Sequence, residues 1–373
     1  MGDSLLITGY PSQEARAVLR EALRDAVVTR AFVLAPTARR DEVDAHLSSL
    51  DPADRVRVEV VEGEARCIDM GLSGARWRAL LSNVSALHLC HPLASSNVGR
   101  ERATDEILHA TDEALEFASA AQGRVRVTAY STALVCGDRE GRFFEDELDV
   151  GQHLRDGLVE AKARAEKMLR ARMTTTPITV VRPSIVVGDS RTGELDRRVG
   201  AYGLFLLFVT APPDLRLPSL GRPDSRLNLV PVDHVARVAY AASRSPAAVG
   251  RTLHVVDPEP KTARQVFDLL AKAAGRRQVQ GSVAAQVATA VVRAPGFERL
   301  GGSPRALLDA LVGDVEFDDR NARSLVPEVV CPPFEAYVGR VVEYVRSSLA
   351  QPVLPSLPPP PQSFAQMTEN DIP

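Results

Sequence analysis

The chain opens on a short apolar run, Leu5-Leu6-Ile7-Thr8, followed by a segment at 12–26 in which Ala15, Val18, Leu19 and Leu23 recur at helical spacing. A buried strand leading into an amphipathic helix is the unit that then repeats. Apolar runs at 31–34, 56–61, 86–90, 124–130, 179–182 and 252–256 predict further strands, with helical segments between most of them. This alternation predicts an α/β fold with a doubly wound, mostly parallel sheet. Right-handed crossovers put helices on both faces and gather the strand C-termini at one edge, where a ligand crevice forms. From about Thr192 the pattern changes to apolar helical stretches at 201–209, 263–274, 282–292 and 304–312, broken by Pro and Gly, which predicts a smaller second lobe. The expected organisation is a core over 1–191, completed by strands and helices from about 225–260, with the lobe and C-terminal helices mainly within 192–350. The stretch 351–373 contains Leu357-Pro358-Pro359-Pro360-Pro361 and almost no periodicity, which predicts a disordered, solvated tail.

Composition narrows the class. With 45% hydrophobic residues in 373 and a net charge of −3, the chain is expected to be globular, without the basic surface that nucleic acid or an anionic membrane would require. Met1-Gly2-Asp3-Ser4-Leu5 lacks the basic flank and long apolar core of a secretory leader, and no apolar run reaches the ~18 residues of a spanning helix, so a cytoplasmic location is expected. Cys67, Cys90, Cys136 and Cys331 form no C-x-x-C pair, and disulfides are not expected. His88, Cys90 and His91 lie close in sequence, but His88 and His91 on an extended strand point to opposite faces, which argues against a shared metal ion.

Several motifs carry a resemblance. They are Tyr130-Ser131-Thr132, the helical segment from Gly157 through Lys162 to Lys167, Arg182-Pro183-Ser184 running on to Gly188-Asp189-Ser190-Arg191-Thr192-Gly193-Glu194, and Asn228-Leu229-Val230-Pro231-Val232-Asp233. Together with Met70-Gly71-Leu72-Ser73 and Trp77, they resemble the extended short-chain dehydrogenase/reductase family, most closely its thioester and fatty acyl-CoA reductase branch, over roughly residues 4–347. The resemblance implies a Rossmann-like core with a smaller C-terminal, substrate-side lobe.

Within that resemblance the site is degenerate. The family's helix carries Tyr-x-x-x-Lys, tyrosine as general acid and lysine one turn away. Here Lys162 is present and the tyrosine position is Leu158, which cannot exchange a proton. Thr132 takes the place of the hydroxyl that polarises a substrate carbonyl. Lys162 is read either as a ribose ligand or as a surface charge. The cofactor turn Thr-Gly-x-x-Gly-x-x-Gly becomes Thr8-Gly9-Tyr10-Pro11-Ser12-Gln13-Glu14-Ala15: Gly9 survives, Ser12 and Ala15 replace the other glycines, and Glu14 sets a negative charge beside the anion site. The alternative for this turn is a plain strand-turn-helix with Ser12 as N-cap and no nucleotide. Arg39 and Arg40 are near enough to meet a 2′-phosphate or are solvated helix-start charges. Glu64 stands where relatives place an adenine-contacting Asp, Pro183 begins the nicotinamide-side loop, and Cys90 and His91 fill space near the ribose. Ile107 and Ala110 fall near the family's structural Asn. Tyr130, His153 and Tyr202 are the conceivable substitute acids.

The expectation is therefore a pseudoenzyme, kept for binding a protein partner, a second copy of itself, or an acyl or other small molecule, with no cofactor. The rival is an active reductase of an acyl thioester, aldehyde or ketone, using NADP or NAD with Thr132, Lys162 and a non-standard acid. A non-redox enzyme is the third class, for which the sequence offers no nucleophile-base pair. Either the Ala-rich face of the Lys162 helix, for self-association, or the lobe segments 201–209 and 282–292 are expected to present an apolar interaction patch.

Overall fold

A computed structural model describes residues 3–91, 100–197, 200–212, 219–220, 222–277, 282–283, 310–311 and 313–349. The strands are β1 (Asp3–Ile7), β2 (Val28–Ala35), β3 (Val58–Glu62), β4 (Ala86–Leu89), β5 (Arg126–Tyr130), β6 (Gly141–Phe143), β7 (Ile178–Pro183), β8 (Ile185–Val187), β9 (Ser219–Leu220), β10 (Arg226–Leu227), β11 (Leu229–Pro231), β12 (Thr252–Val255), β13 (Lys261–Thr262), β14 (Ser282–Val283) and β15 (Val315–Phe317). The helices are α1 (Gln13–Arg24), α2 (Arg40–Ser48), α3 (Pro52–Arg55), α4 (Gly74–Asn83), α5 (Arg100–Ala120), α6 (Gly157–Arg172), α7 (Gly200–Thr210), α8 (Val232–Arg244), α9 (Ala263–Ala273), α10 (Arg320–Leu325) and α11 (Val338–Ser348).

Seven strands form one sheet in the order β12-β7-β5-β4-β1-β2-β3, and every pairing in it is parallel. The chain walks outward from β1 through β2 to β3, then restarts on the other side of β1 with β4. The topological switch point therefore lies between β1 and β4, and a crevice opens beyond their C-terminal ends. Alternation along each strand divides the core. Leu6, Phe32, Leu87, Val127 and Val180 pack with Leu115 and Phe117 of α5 on one face. Ile7, Val33, Val181 and Leu253 pack with α1 and α8 on the other. Burial on both faces is why these strands read as apolar runs in the sequence.

The lobe has its own core, built from Phe205 and Phe208 of α7, Phe267 of α9, and Val341 and Val345 of α11. Two expectations here are corrected. Ser282 and Val283 begin no helix: they pair in parallel with Ser219 and Leu220, so their backbone groups go to a neighbouring strand. The rest of 282–292, most of 304–312 and the proline-rich stretch 351–373 lie outside the described residues. The other correction concerns the Ala-rich stripe of α6. Ala161 and Ala165 are buried against Ile107 of α5 within the same chain, so their small size serves an internal helix contact. Among the described residues, no helix is long and apolar enough to cross a membrane.

Candidate active site

The β1–α1 turn keeps its shape and loses its opening. Gly9 has φ +69°, and a Cβ there would come within 2.2 Å of the Cys90 carbonyl oxygen, so this position requires glycine. Ser12 is the N-cap of α1, its hydroxyl accepting from the Ala15 amide at 3.3 Å, and Ala15 is fully buried. Ser12 and Gln13 are only 2% and 1% exposed, although an open anion site needs the first amides of the helix to be accessible. Gln13 is tied to the loop after β8: its Nε2 donates to the Glu194 carbonyl at 3.0 Å and its Oε1 accepts from the Asp196 amide at 2.9 Å. Arg16 and Arg20 pair with the Glu194 carboxylate at 2.5 and 3.0 Å. The loop Gly188–Glu194 is held in turn by Asp233, which accepts from the Ser190 amide and hydroxyl, both at 2.8 Å.

Glu14, on the first turn of α1, brings its charge inward. Its Oε2 is buried without a hydrogen-bond partner, and burial raises its carboxyl pKa against the pull of Lys162. Lys162 in turn is not a surface charge: its ammonium donates to the Ser131 carbonyl at 3.3 Å, and burial lowers its pKa while Glu14 and Cys90 raise it. Leu158, one turn earlier on α6, is partly buried and packs against the cluster of Ile107, Ala161 and Ala165. Asp156 starts that helix, its Oδ1 accepting from the Leu158 and Val159 amides at 2.9 and 3.1 Å. Thr132 is committed to structure. Its hydroxyl donates to the Pro183 carbonyl at 3.3 Å and accepts from the Leu134 amide at 3.2 Å, capping a short 3-10 turn.

None of the substitute acids reaches the crevice free to act. His153 has 83% of its side chain exposed and sits 3.2 Å from Asp138. The Tyr202 hydroxyl meets Ser348 at 3.0 Å in the lobe, and the Tyr130 hydroxyl lies 3.5 Å from His88 in the core. Arg39 pairs with Glu42, and Arg40 with Asp44 and Glu62, at the start of α2. Glu64 pairs with Arg66 at 2.6 Å. His91 is nine-tenths buried and His88 wholly so, on different contacts, and no metal-binding cluster is found among the described residues.

Sequence reading missed a buried polar network behind Thr132. Glu166, on the Lys162 face of α6, accepts from the Ser131 hydroxyl at 2.6 Å, from Arg170 at 2.8 Å and from Arg182 at 2.7 Å, and neither Glu166 nor Arg182 has any exposure. Arg182 also donates to the Glu147 carbonyl at 2.7 Å and meets His254 Nε2 at 3.2 Å. His254 Nδ1 lies 2.7 Å from the Asp318 carbonyl, which makes Nδ1 the donor and Nε2 the acceptor from Arg182. Glu166 at i+4 from Lys162 was a visible signal, since both must share a helix face. A shallow cleft with about 50 Å³ of enclosed space lies between core and lobe. Leu134, Val159 and Ile185 give it an apolar wall, and Arg139, Arg155, Arg226 and Asp156 also line it, with Arg155 3.8 Å from Asp138 and Arg226 3.6 Å from Glu316.

The similarities of this chain to known proteins fit that architecture. The model of the male sterility protein family, an NAD-binding family, matches residues 15–239, more than half of the chain. An aldehyde reductase of Aspergillus flavus, lnbA, is 30% identical over 152 residues, which make up 37% of this chain and 14% of that protein, so the chain spans only a small part of that relative's length. The terminal R domain of the myxalamid PKS-NRPS pathway superposes with a TM-score of 0.77 at 21% identity, covering 92% of this chain and 90% of the other. The reductase domain of a non-ribosomal peptide synthetase from Mycobacterium tuberculosis gives 0.69 at 19% identity, covering 94% and 92%. Yeast methylglyoxal/isovaleraldehyde reductase Gre2, complexed with NADPH, gives 0.69 at 13% identity, covering 92% and 98%. With its parallel seven-stranded sheet, its switch-point crevice and this family match, the chain belongs to the male sterility protein family of NAD-binding domains, and its fold is that of the reductases that superpose on it.

Proposed function

We propose that this protein has given up hydride transfer and is retained for binding, its interlobe cleft taking an amphipathic ligand such as an acyl chain with an anionic group. The observation that carries the first half is Glu14: a carboxyl with one buried, unpartnered oxygen at the start of α1, where a dinucleotide diphosphate would need open amides and no acidic group. Leu158 supplies no proton and the Thr132 hydroxyl is already used twice, so two of the three groups for carbonyl chemistry are gone. The second half is supported by the apolar wall of the cleft and by the Arg139 guanidinium among its lining residues. Binding of a protein partner through the lobe is compatible with this role, whereas self-association through Ala161 and Ala165 is not, since those residues are covered.

NADPH and NADH at concentrations that saturate an ordinary reductase are expected to leave the melting temperature unchanged, because a ligand bound only by the folded state must raise it. A dissociation constant in the low micromolar range by calorimetry, or turnover of an aldehyde or acyl thioester, would overturn the proposal in favour of an active reductase. Leu158→Tyr is likewise expected to give no reductase activity. General acid catalysis supplies only ~10²–10⁴-fold once reactants are positioned, and no cofactor is positioned here. Robust NADPH oxidation by that single variant would show an intact cofactor site.

A further inference from the structure

We propose that Arg139 is the residue by which the interlobe cleft selects its ligand, and that it selects a free monocarboxylate, an organic acid with a short apolar tail, over a phosphate and over neutral derivatives of the same acid. Arg139 is presented on a rigid turn. The 3-10 turn Ala133–Cys136 ends at Gly137, whose φ is +58° and where a Cβ would come within 2.6 Å of the His153 carbonyl oxygen. That close approach seats the turn against the segment entering α6. The His153 amide donates to Asp138 at 2.8 Å, and the Arg139 amide donates to the Cys136 carbonyl at 3.2 Å. The Arg139 side chain lines the cleft together with Leu134 and Val159. Its guanidinium is uncommitted: Nε is buried with no hydrogen-bond partner, and among the described residues the partly buried side chain has neither an ion pair nor an acceptor. Other partly buried arginines of this chain are answered, Arg57 by the Leu23 and Val28 carbonyls and Arg276 by those of Phe208 and Val209. A guanidinium partly withdrawn from water and left without an acceptor gains more from an entering anion than an exposed arginine would.

The rest of the lining sets the charge and shape of the occupant. Arg155 and Arg226 already face carboxylates, Asp138 and Glu316 respectively, and Asp156 is itself a carboxylate on the cleft wall. One uncompensated positive charge therefore meets the ligand. A monoanion balances it, a phosphate dianion overshoots it beside Asp156, and an ester, thioester or amide leaves it unanswered. A carboxylate also matches the planar fork of a guanidinium with two parallel hydrogen bonds. Leu134, Val159 and Ile185 take the tail, and the enclosed space of about 50 Å³ keeps its buried part to a few carbon atoms. The ligand class rests on the proposed binding role of the cleft and goes beyond it by excluding thioesters and phosphates.

The test is calorimetry on the full chain with three ligands that share one tail, hexanoate, hexanamide and hexyl phosphate, at about pH 8, where the phosphate carries two charges. Hexanoate is expected to bind about tenfold or more tighter than either of the others. Arg139→Gln should bring hexanoate down to the level of hexanamide, while hexanamide binding and the melting temperature of the ligand-free protein stay unchanged. A merely structural arginine would instead lower that temperature and weaken both ligands alike. Arg139→Lys, which keeps the charge and loses the fork, should restore part of the preference. Equal binding of hexanoate and hexanamide by the unmodified protein overturns the role of Arg139 and leaves the cleft standing as a binding site. Hexyl phosphate bound as tightly as hexanoate overturns the choice of a monocarboxylate. No binding of any of the three overturns this inference together with the proposed use of the cleft, whereas the loss of hydride transfer is decided separately by NADPH.

Discussion

Glu166→Ala is expected to destabilise the protein by about 3–5 kcal/mol, measured as the loss of unfolding free energy in urea. Glu166 and Arg182 are both without exposure, and the carboxylate also accepts from Ser131 and Arg170. Removing it leaves the Arg182 guanidinium buried and charged, with the Glu147 carbonyl, the His254 ring and the Phe143 ring face but no anion to answer it. The penalty comes from that stranded charge more than from the worth of the pair itself. Accordingly, the double replacement Glu166→Leu with Arg182→Met should cost clearly less than the sum of the two single changes. A Glu166→Ala variant within about 1 kcal/mol of the parent would mean that water reaches Arg182.

Acidification is expected to destabilise the protein well before ordinary carboxylates titrate. Burial holds His46, His91 and His254 at pKa values of about 3, and His88 and His234 at about 4, below their usual range. In the unfolded chain each titrates near 6.5, so unfolding takes up protons between the two values. Their stabilising contribution is complete above about pH 6.5 and is lost as pH falls towards the folded pKa. At pH 5 each histidine opposes folding by roughly 2 kcal/mol. Glu145 works in the opposite sense: burial raises its carboxyl to about 7, so its contribution weakens as pH rises from its unfolded value to that point. Glu14 and Asp257 are also raised and act in the same sense as Glu145. With five imidazoles against these carboxyls, a net loss of roughly 5 kcal/mol is expected between pH 7 and pH 5, or a fall in melting temperature of about 6 °C. A melting temperature that stays level over that interval would show that the histidines are solvated.

Much of the sheet was legible because its strands are sandwiched between helices, and unbroken apolar runs such as Leu5-Leu6-Ile7 have few other uses. The damaged turn and the leucine at 158 were legible too, since a missing glycine or phenol is visible one residue at a time. What stayed hidden depends on partners far apart in the chain. Arg182 meets Glu166 across 16 residues and His254 across 72, and no local pattern announces either contact. Strands β6 and β15 are three residues each, Gly141-Arg142-Phe143 against Val315-Glu316-Phe317, too short to show a period. The charge of Glu14 was plain from the sequence, but not that Lys162 answers it from another helix.

Strand β12 is the outer edge of the sheet, and its free backbone groups are sealed by side chains rather than by another strand. The Glu145 carboxylate accepts from the His254 amide at 2.9 Å and from the Asn321 amide at 2.6 Å, while the Asn321 amide group donates to the Thr252 carbonyl at 3.0 Å. Half of that seal is therefore encoded in α10, some 70 residues after the strand it protects. A ribosome releasing the chain from its N-terminus exposes an unguarded apolar edge until α10 has emerged, at ~5–20 residues per second for several seconds. Throughout that interval the edge is available to pair with the wrong strand. A nascent chain stalled between β12 and α10 should thus aggregate, whereas one stalled beyond α11 should not, which makes the timing of synthesis part of what this fold requires.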